Sequence, residues 1–211
     1  MNNIIKQTWW DNNLPKMNKM FFNWIGDSSA PSKVFFRKFL KNKGYKSIID
    51  IGCGPATEYN GFKNDNIDIE YMGVDSSKFL YDLNTSKNIP MIQAEAHKIP
   101  VDANSYEISL TRHVLEHQPH FKPVLNEMIR ISTRLVVCIF FIAPQEKEII
   151  DYNKKSNLYH NTYNINDIES FLNSNKMVSK YEWYNIPIPL WKKILKRNNT
   201  NLEKVLIIKI A

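Results

Sequence analysis

One stretch constrains the chain more than any other: Ile48-Ile49-Asp50-Ile51-Gly52-Cys53-Gly54-Pro55-Ala56. An apolar run bounded by turn signals reads as a buried strand, most simply one in a parallel sheet. Gly52 and Gly54 then permit a sharp turn with no Cβ in the way, so a ligand can approach the main chain closely. A helix starting after such a turn offers its N-terminus to the same ligand. Asp50 stands near the carboxyl end of the strand, where open α/β sheets bind their ligands.

The pattern repeats downstream. Ile69 to Asp75 reads as a second strand ending in an acid, followed by Ser76 and Ser77; Pro90 to Glu95 reads as a third ending the same way. Tyr106 to Thr111 is the fourth, and the β-prone run Leu135 to Ala143 is the fifth. Helices are expected between them: Val34 to Leu40 with Ser32 as a cap and Gly44 as the stop, Ala56 to Phe62 curtailed by Gly61, and Lys122 to Ile131. The last of these presents Val124, Leu125, Met128 and Ile129 on one face. Strand and helix in alternation predict a parallel sheet.

The last third differs. Asn164 or Asn166 can cap a helix at 167–172, Met177 to Trp183 reads as a strand, and Pro187 and Pro189 break the chain. A basic segment, Trp191 to Arg197, precedes a final strand from Leu202 to Ala211. Two strands in succession without a full helix between them suggest an antiparallel edge.

Residues 1–30 concentrate Trp9, Trp10, Met17, Met20, Phe21, Phe22 and Trp24. Such a segment either packs on the core as a flap or forms a lid over a binding face. The net charge of +7 admits an acidic partner, but the lysines are mixed with acids and form no block. Two cysteines, Cys53 and Cys138, make neither a disulfide framework nor a metal pattern. No run is long enough to span a bilayer and the first residues show no secretory signal, so a cytoplasmic location is expected.

Asp50, Asp75 and Glu95 end successive strands and so face one crevice. Carboxylates gathered there are costly unless a ligand with hydroxyl and amino donors meets them. Asp75 lies about twenty residues past Gly54, the interval at which a second strand delivers an acid to a ribose diol.

Asp50-Ile-Gly52-Cys-Gly54-Pro-Ala56, Tyr71-Met-Gly-Val-Asp75 and Ala94-Glu95-Ala96-His97-Lys98-Ile99-Pro100 together resemble the first motifs of class I S-adenosylmethionine-dependent methyltransferases. Asn104 to Ile108 and His113-Val114-Leu115-Glu116-His117 are similar to the fourth-strand region of the small-molecule branch of that family, methyltransferase type 11. The resemblance spans about residues 46–143. It implies a single-domain, Rossmann-like α/β sandwich of three layers, with a mostly parallel seven-stranded sheet whose last strand is antiparallel. Residues 1–40 would form an aromatic cap, 46–143 the cofactor-binding core and 144–211 the acceptor side.

Carried over by position, Asp50, Gly52, Cys53 and Gly54 would cradle the methionine moiety. Asp75 and Ser76 would meet the ribose, Glu95 and Ala96 the adenine, and Arg112 would line the same site. His113 and His117, four apart on an expected helix, are the candidate general bases, and no metal is implied. Ala56 stands where a third glycine is usual, tolerable if that position is helical, and Ile131 to Arg134 replaces the usual Pro-Gly-Gly turn.

A nicotinamide dinucleotide site is the alternative for the glycine turn, but it wants a third glycine where Thr57 stands. No Asn/Asp-Pro-Pro-Tyr follows the fourth strand and neither cysteine is placed as a nucleophile, which argues against DNA bases as acceptors. A small-molecule acceptor is favoured over RNA or protein. A protein that binds the cofactor without catalysis is the remaining alternative.

Overall fold

A computed structural model describes residues 9–16, 27–154, 156–187 and 202–211. Among these residues seven strands form one sheet: β1 (Ser47–Ile51), β2 (Glu70–Asp75), β3 (Met91–Gln93), β4 (Tyr106–Arg112), β5 (Ser132–Phe140), β8 (Val178–Pro187) and β9 (Leu202–Ile210). Between β5 and β8, two-residue strands β6 (Tyr152–Asn153) and β7 (Leu158–Tyr159) pair as a small antiparallel ladder. The sheet order is β3-β2-β1-β4-β5-β9-β8. The pairs among β1 to β5 are parallel, whereas β9 runs antiparallel to both β5 and β8. The final strand therefore inserts between its two neighbours and leaves β8 at the edge.

The helices are α1 (Trp9–Asn13), continued by a short 3-10 turn at Leu14–Lys16, α2 (Pro31–Leu40), α3 (Thr57–Asn64), α4 (Lys78–Thr85), α5 (Phe121–Ile131) and α6 (Ile165–Ser174). The two faces of the sheet bury separate cores, because side chains alternate along each strand. Ile49, Ile51, Val136, Cys138, Leu206 and Ile208 pack with Leu125 and Met128 of α5 and with Leu172 of α6. Ile48, Leu110, Val137, Ile139, Val205 and Ile207 pack with Phe36 and Leu40 of α2 and Phe62 of α3. Among the described residues, no helix is long and apolar enough to cross a membrane.

Several local expectations change. Pro31 occupies the first turn of α2, so Ser32 lies inside the helix and caps nothing. Gly61 does not curtail α3, which continues to Asn64. The missing side chain instead leaves room for the Arg37 guanidinium, whose Nη1 would be 2.6 Å from a Cβ there. Arg37 uses that space to pair with Glu58 at 3.1 Å and Asp65 at 2.7 Å. Ala56 is not helical: it precedes α3 in the left-handed region at φ 51°, fully buried. β3 stops at Gln93, and Glu95 instead bridges to Lys98 in the turn beyond. Met17, Met20, Phe21, Phe22, Trp24, Pro189 and the segment 191–197 lie outside the described residues.

Candidate functional site

The crevice lies at the carboxyl ends of β1, β2 and β4. Gly52 and Gly54 both hold positive φ, 69° and 56°, which an L residue adopts only with strain. The amides of Gly52 and Cys53 both donate to the Val74 carbonyl, at 2.7 and 3.0 Å, tying the turn to β2. A Cβ on Gly52 would overlap Val114 Cγ2, whereas nothing stands within 4 Å of a Cβ on Gly54. The first glycine thus lets the loop after β4 close down on the turn, and the second presents bare backbone to the crevice.

Asp75 grips this loop. Its Oδ2 accepts from Gly54 N at 3.0 Å and its Oδ1 from Ser77 N at 2.9 Å, leaving lone pairs on both oxygens. Burial pushes its pKa up to about 6, with those two hydrogen bonds opposing. Asp50 is also buried and accepts from the Tyr71 hydroxyl at 2.9 Å. Burial, then the nearby Glu58 charge, pushes it up to about 7. Cys53 is buried against Met91, 3.7 Å between sulfurs, and desolvation raises its thiol pKa well above the usual value. It is no nucleophile. Ser76, Glu95 and Ala96 are half-buried around the same end of β2 and β3.

Two residues that sequence reasoning missed complete this side. Asp11 of α1 accepts from Ser77 Oγ at 2.7 Å and Phe79 N at 3.0 Å, so it sits on the N-terminus of α4 beside Asp75. Its negative charge there complements the positive end of the helix dipole. Lys33 of α2 is 2% exposed and donates to Thr57 Oγ1, directly behind the glycine turn. Burial, then Arg112, lowers its pKa to about 8, while Glu58 and Asp50 act in the other direction. No spacing rule links positions 11 or 33 to the crevice; only the fold brings them there.

The two histidines separate in place. They do not share a helix. His113 stands at φ 59° just after β4, and His117 ends a 3-10 turn at Leu115–His117. His113 Nε2 lies 2.8 Å from Glu203 Oε1, and Arg112 Nη2 reaches the same oxygen at 3.1 Å. Burial would raise Glu203, yet His113 and Arg112 hold it well below the usual carboxylate range. Arg112 also donates to Ser32 Oγ at 3.4 Å, so its guanidinium is committed to β9 and α2.

His117 Nδ1 is 2.7 Å from the carbonyl oxygen of Tyr159 in β7. A carbonyl only accepts, so Nδ1 carries the proton and Nε2 is left as a bare acceptor when the ring is neutral. Burial, and then His160, lowers its pKa, while the Tyr159 carbonyl opposes the shift. Around it stand Trp10, Phe141 and His160, with ring centroids 6.2, 5.6 and 5.2 Å away. Behind it Glu116, fully buried, accepts from Phe141 N at 2.6 Å and Ile142 N at 3.2 Å and so fixes the end of β5.

The family model described as a methyltransferase domain matches residues 49–140. No curated protein matches the chain significantly. Among solved structures, an S-adenosylmethionine-dependent methyltransferase of Thermotoga maritima is similar over 96% of this chain and 97% of its own, at 12% identity and TM-score 0.65. A Haemonchus contortus phosphoethanolamine N-methyltransferase, solved with phosphomonomethylethanolamine and S-adenosylhomocysteine, is similar over 96% of this chain and 59% of its own (13% identity, TM-score 0.66). The 1,6-didemethyltoxoflavin-N1-methyltransferase of Burkholderia thailandensis, with its substrate and S-adenosylhomocysteine bound, covers 96% of this chain and 87% of its own (11%, TM-score 0.65). At these identities the structures speak for the fold, and the matched motifs for the chemistry. Residues 49–140 match a methyltransferase domain, and the seven-stranded sheet that contains them has the class I fold of S-adenosylmethionine-dependent methyltransferases.

Proposed function

We propose that the protein methylates an oxygen or nitrogen atom of a small organic acceptor, with His117 as general base. The observation that carries this reading is the His117 imidazole, its Nδ1 at 2.7 Å from the Tyr159 carbonyl and its ring among Trp10, Phe141 and His160. Rings of this kind suit an acceptor with an apolar or planar body. The two structural neighbours solved with small-molecule substrates favour that class over RNA or protein.

The residues around the crevice fit the methyl donor. Open backbone at Gly54, with Gly52 and Cys53 shaping the turn beside it, would admit the methionine chain, and buried Asp50 would accept from its amino group. The buried ammonium of Lys33, directly behind the turn, would balance its carboxylate. Asp75, with lone pairs left on both oxygens, would accept from the ribose hydroxyls beside Ser76. Glu95 and Ala96 would flank the base. Arg112 acts through Glu203, holding β4 to β9, and His113 takes the same positioning role.

When bound, S-adenosylmethionine supplies a methyl carbon on a sulfonium and departs as S-adenosylhomocysteine. The protein aligns the acceptor with that carbon and excludes water, which is most of what this transfer needs. As the acceptor atom gives up its lone pair, its proton passes to His117 Nε2, and the Nδ1–H bond to Tyr159 stabilises the imidazolium. α1 would then cover the crevice, with Trp10 against His117 and Asp11 against α4.

Calorimetric titration with S-adenosylmethionine and S-adenosylhomocysteine, alongside Asp75→Ala, tests the cofactor half. Binding weakened tenfold or more by the substitution, about 1.4 kcal/mol, supports it. Acceptor screening by release of S-adenosylhomocysteine, with and without His117→Ala, tests the rest. Full turnover in the His117 variant would remove the base from the mechanism.

A further inference from the structure

At the other end of the sheet a groove of about 400 Å³ opens between the turn after α2 and the outer strands β8 and β9. The register fixes its place. Lys209 pairs with Leu135 near the start of β5 and with Lys180 near the start of β8, and Tyr45 precedes β1. This is the amino end of the parallel strands, remote from the crevice.

Three lysines line the groove, Lys43, Lys180 and Lys209, with Tyr45 and Tyr184 and a single acid, Glu182. Glu182 is already engaged: Lys180 Nζ pairs with it at 2.6 Å and the Tyr184 hydroxyl donates to it. Among the described residues neither Lys43 nor Lys209 makes an ion pair, and both are exposed. Partial burial, and then repulsion by Lys209, lowers the pKa of Lys43. Two like charges thus share a groove whose one acid among the described residues, Glu182, acts on both while paired with Lys180.

Aromatic rings are interleaved with these cations. Lys43 Nζ lies 3.3 Å from the centroid of Phe39, and the Arg134 guanidinium, itself paired with Glu107 at 3.6 Å, lies 4.3 Å from that of Tyr45 beside the groove. Alternating cations and rings suit a strand in which phosphates alternate with flat bases. An acidic peptide would meet the lysines and leave the rings unused.

We propose that this groove binds single-stranded nucleic acid, with Lys43 and Lys209 on the phosphates and the flanking rings against a base. It is an anchoring surface separate from the methyl-transfer crevice. The methylated acceptor need not be the strand it holds.

The test is fluorescence anisotropy of a labelled oligouridylate of about twelve nucleotides, titrated with the full chain at salt between about 50 and 200 mM. The wild type should bind, more weakly as salt rises. Lys43→Glu with Lys209→Glu should weaken binding about tenfold or more, and lower the slope of log K against log salt by about 1.4, two contacts at about 0.7 each. Calorimetry with S-adenosylmethionine reports that the double variant is folded, since both positions are exposed and distant from the cofactor. Absence of wild-type binding, or equal binding by the double variant, overturns the proposal. So does competition by polyglutamate as strong as that by unlabelled oligouridylate, which would mark the groove as reading charge alone.

Discussion

His117 Nδ1 and the backbone carbonyl of Tyr159 lie 2.7 Å apart, a side chain after β4 meeting the main chain of β7. The contact decides which nitrogen of the ring carries the proton, and therefore which one can accept another. Replacing His117 by Ala should lower kcat about 100-fold or more and leave S-adenosylmethionine affinity within about threefold if, as proposed, the ring meets the acceptor. Steady-state kinetics paired with calorimetry separates the two effects.

Cofactor affinity should depend on pH through Asp50 and Asp75. Both have raised pKa values in the free protein, about 7 and about 6. Donors from a bound ligand would favour their charged forms, so binding releases protons and tightens as pH rises through about 5 to 8. Calorimetry in two buffers of different ionisation enthalpy measures the released protons. Asp75→Asn should flatten the profile as well as weaken binding; an unchanged profile in that variant would take Asp75 out of the linkage.

The same groups carry an opposite consequence for stability. A carboxyl whose folded pKa lies above its unfolded value binds more protons when folded, so it loses stability as pH rises. Asp50, Asp75 and Glu116, the last pushed up to about 7 by burial, should make the ligand-free protein less stable at pH 8 than at pH 5. Asp50→Asn should raise the melting temperature at pH 8 while weakening the cofactor. Urea unfolding at the two pH values, with and without S-adenosylhomocysteine, measures both effects.

Gly52→Ala should destabilise the protein by about 1–3 kcal/mol and lower cofactor affinity. Two costs combine: the residue holds φ 69°, and its new methyl would overlap Val114 Cγ2. Adding Val114→Ala relieves the overlap but not the backbone strain, so the double variant should recover part of the loss. Full recovery would mean that sterics alone matter; none would mean that the backbone alone does.

Asp11→Ala removes the acceptor for Ser77 Oγ and Phe79 N at the start of α4. α1 would lose its hold there, and Trp10 its place against His117. The expected result is a higher KM for the acceptor, with kcat less affected. Trp10→Ala should act in the same direction, and a change confined to cofactor affinity would assign Asp11 to the ribose side instead.

Much of the fold was legible in the chain because its signals are local. Apolar runs ending at Asp50 and Asp75 mark strands whose ends face one crevice, and the 3.6-residue spacing of Val124, Leu125 and Met128 marks the helix that covers them. The glycine turn was legible because only glycine holds positive φ cheaply. Ala56 was misread for a related reason: its left-handed conformation is imposed by the turn around it, and an alanine carries no sign of that. The shared helix expected for His113 and His117 failed because the loop after β4 must close over Gly52, which breaks the helical run between them.

Sequence alone determined the succession of the main strands and helices, the glycine turn, the acid that ends β2 and, through these motifs, the methyl-donor chemistry. Tertiary structure decided what depends on residues far apart in the chain. Glu203 claims Arg112 and His113 across about ninety positions, the Tyr159 carbonyl sets the His117 tautomer, and Asp11 and Lys33 arrive at the crevice from the N-terminal helices. Backbone carbonyls are the same in every residue, and the charge a buried lysine meets depends on which helix packs beside it. Neither leaves a pattern in one dimension.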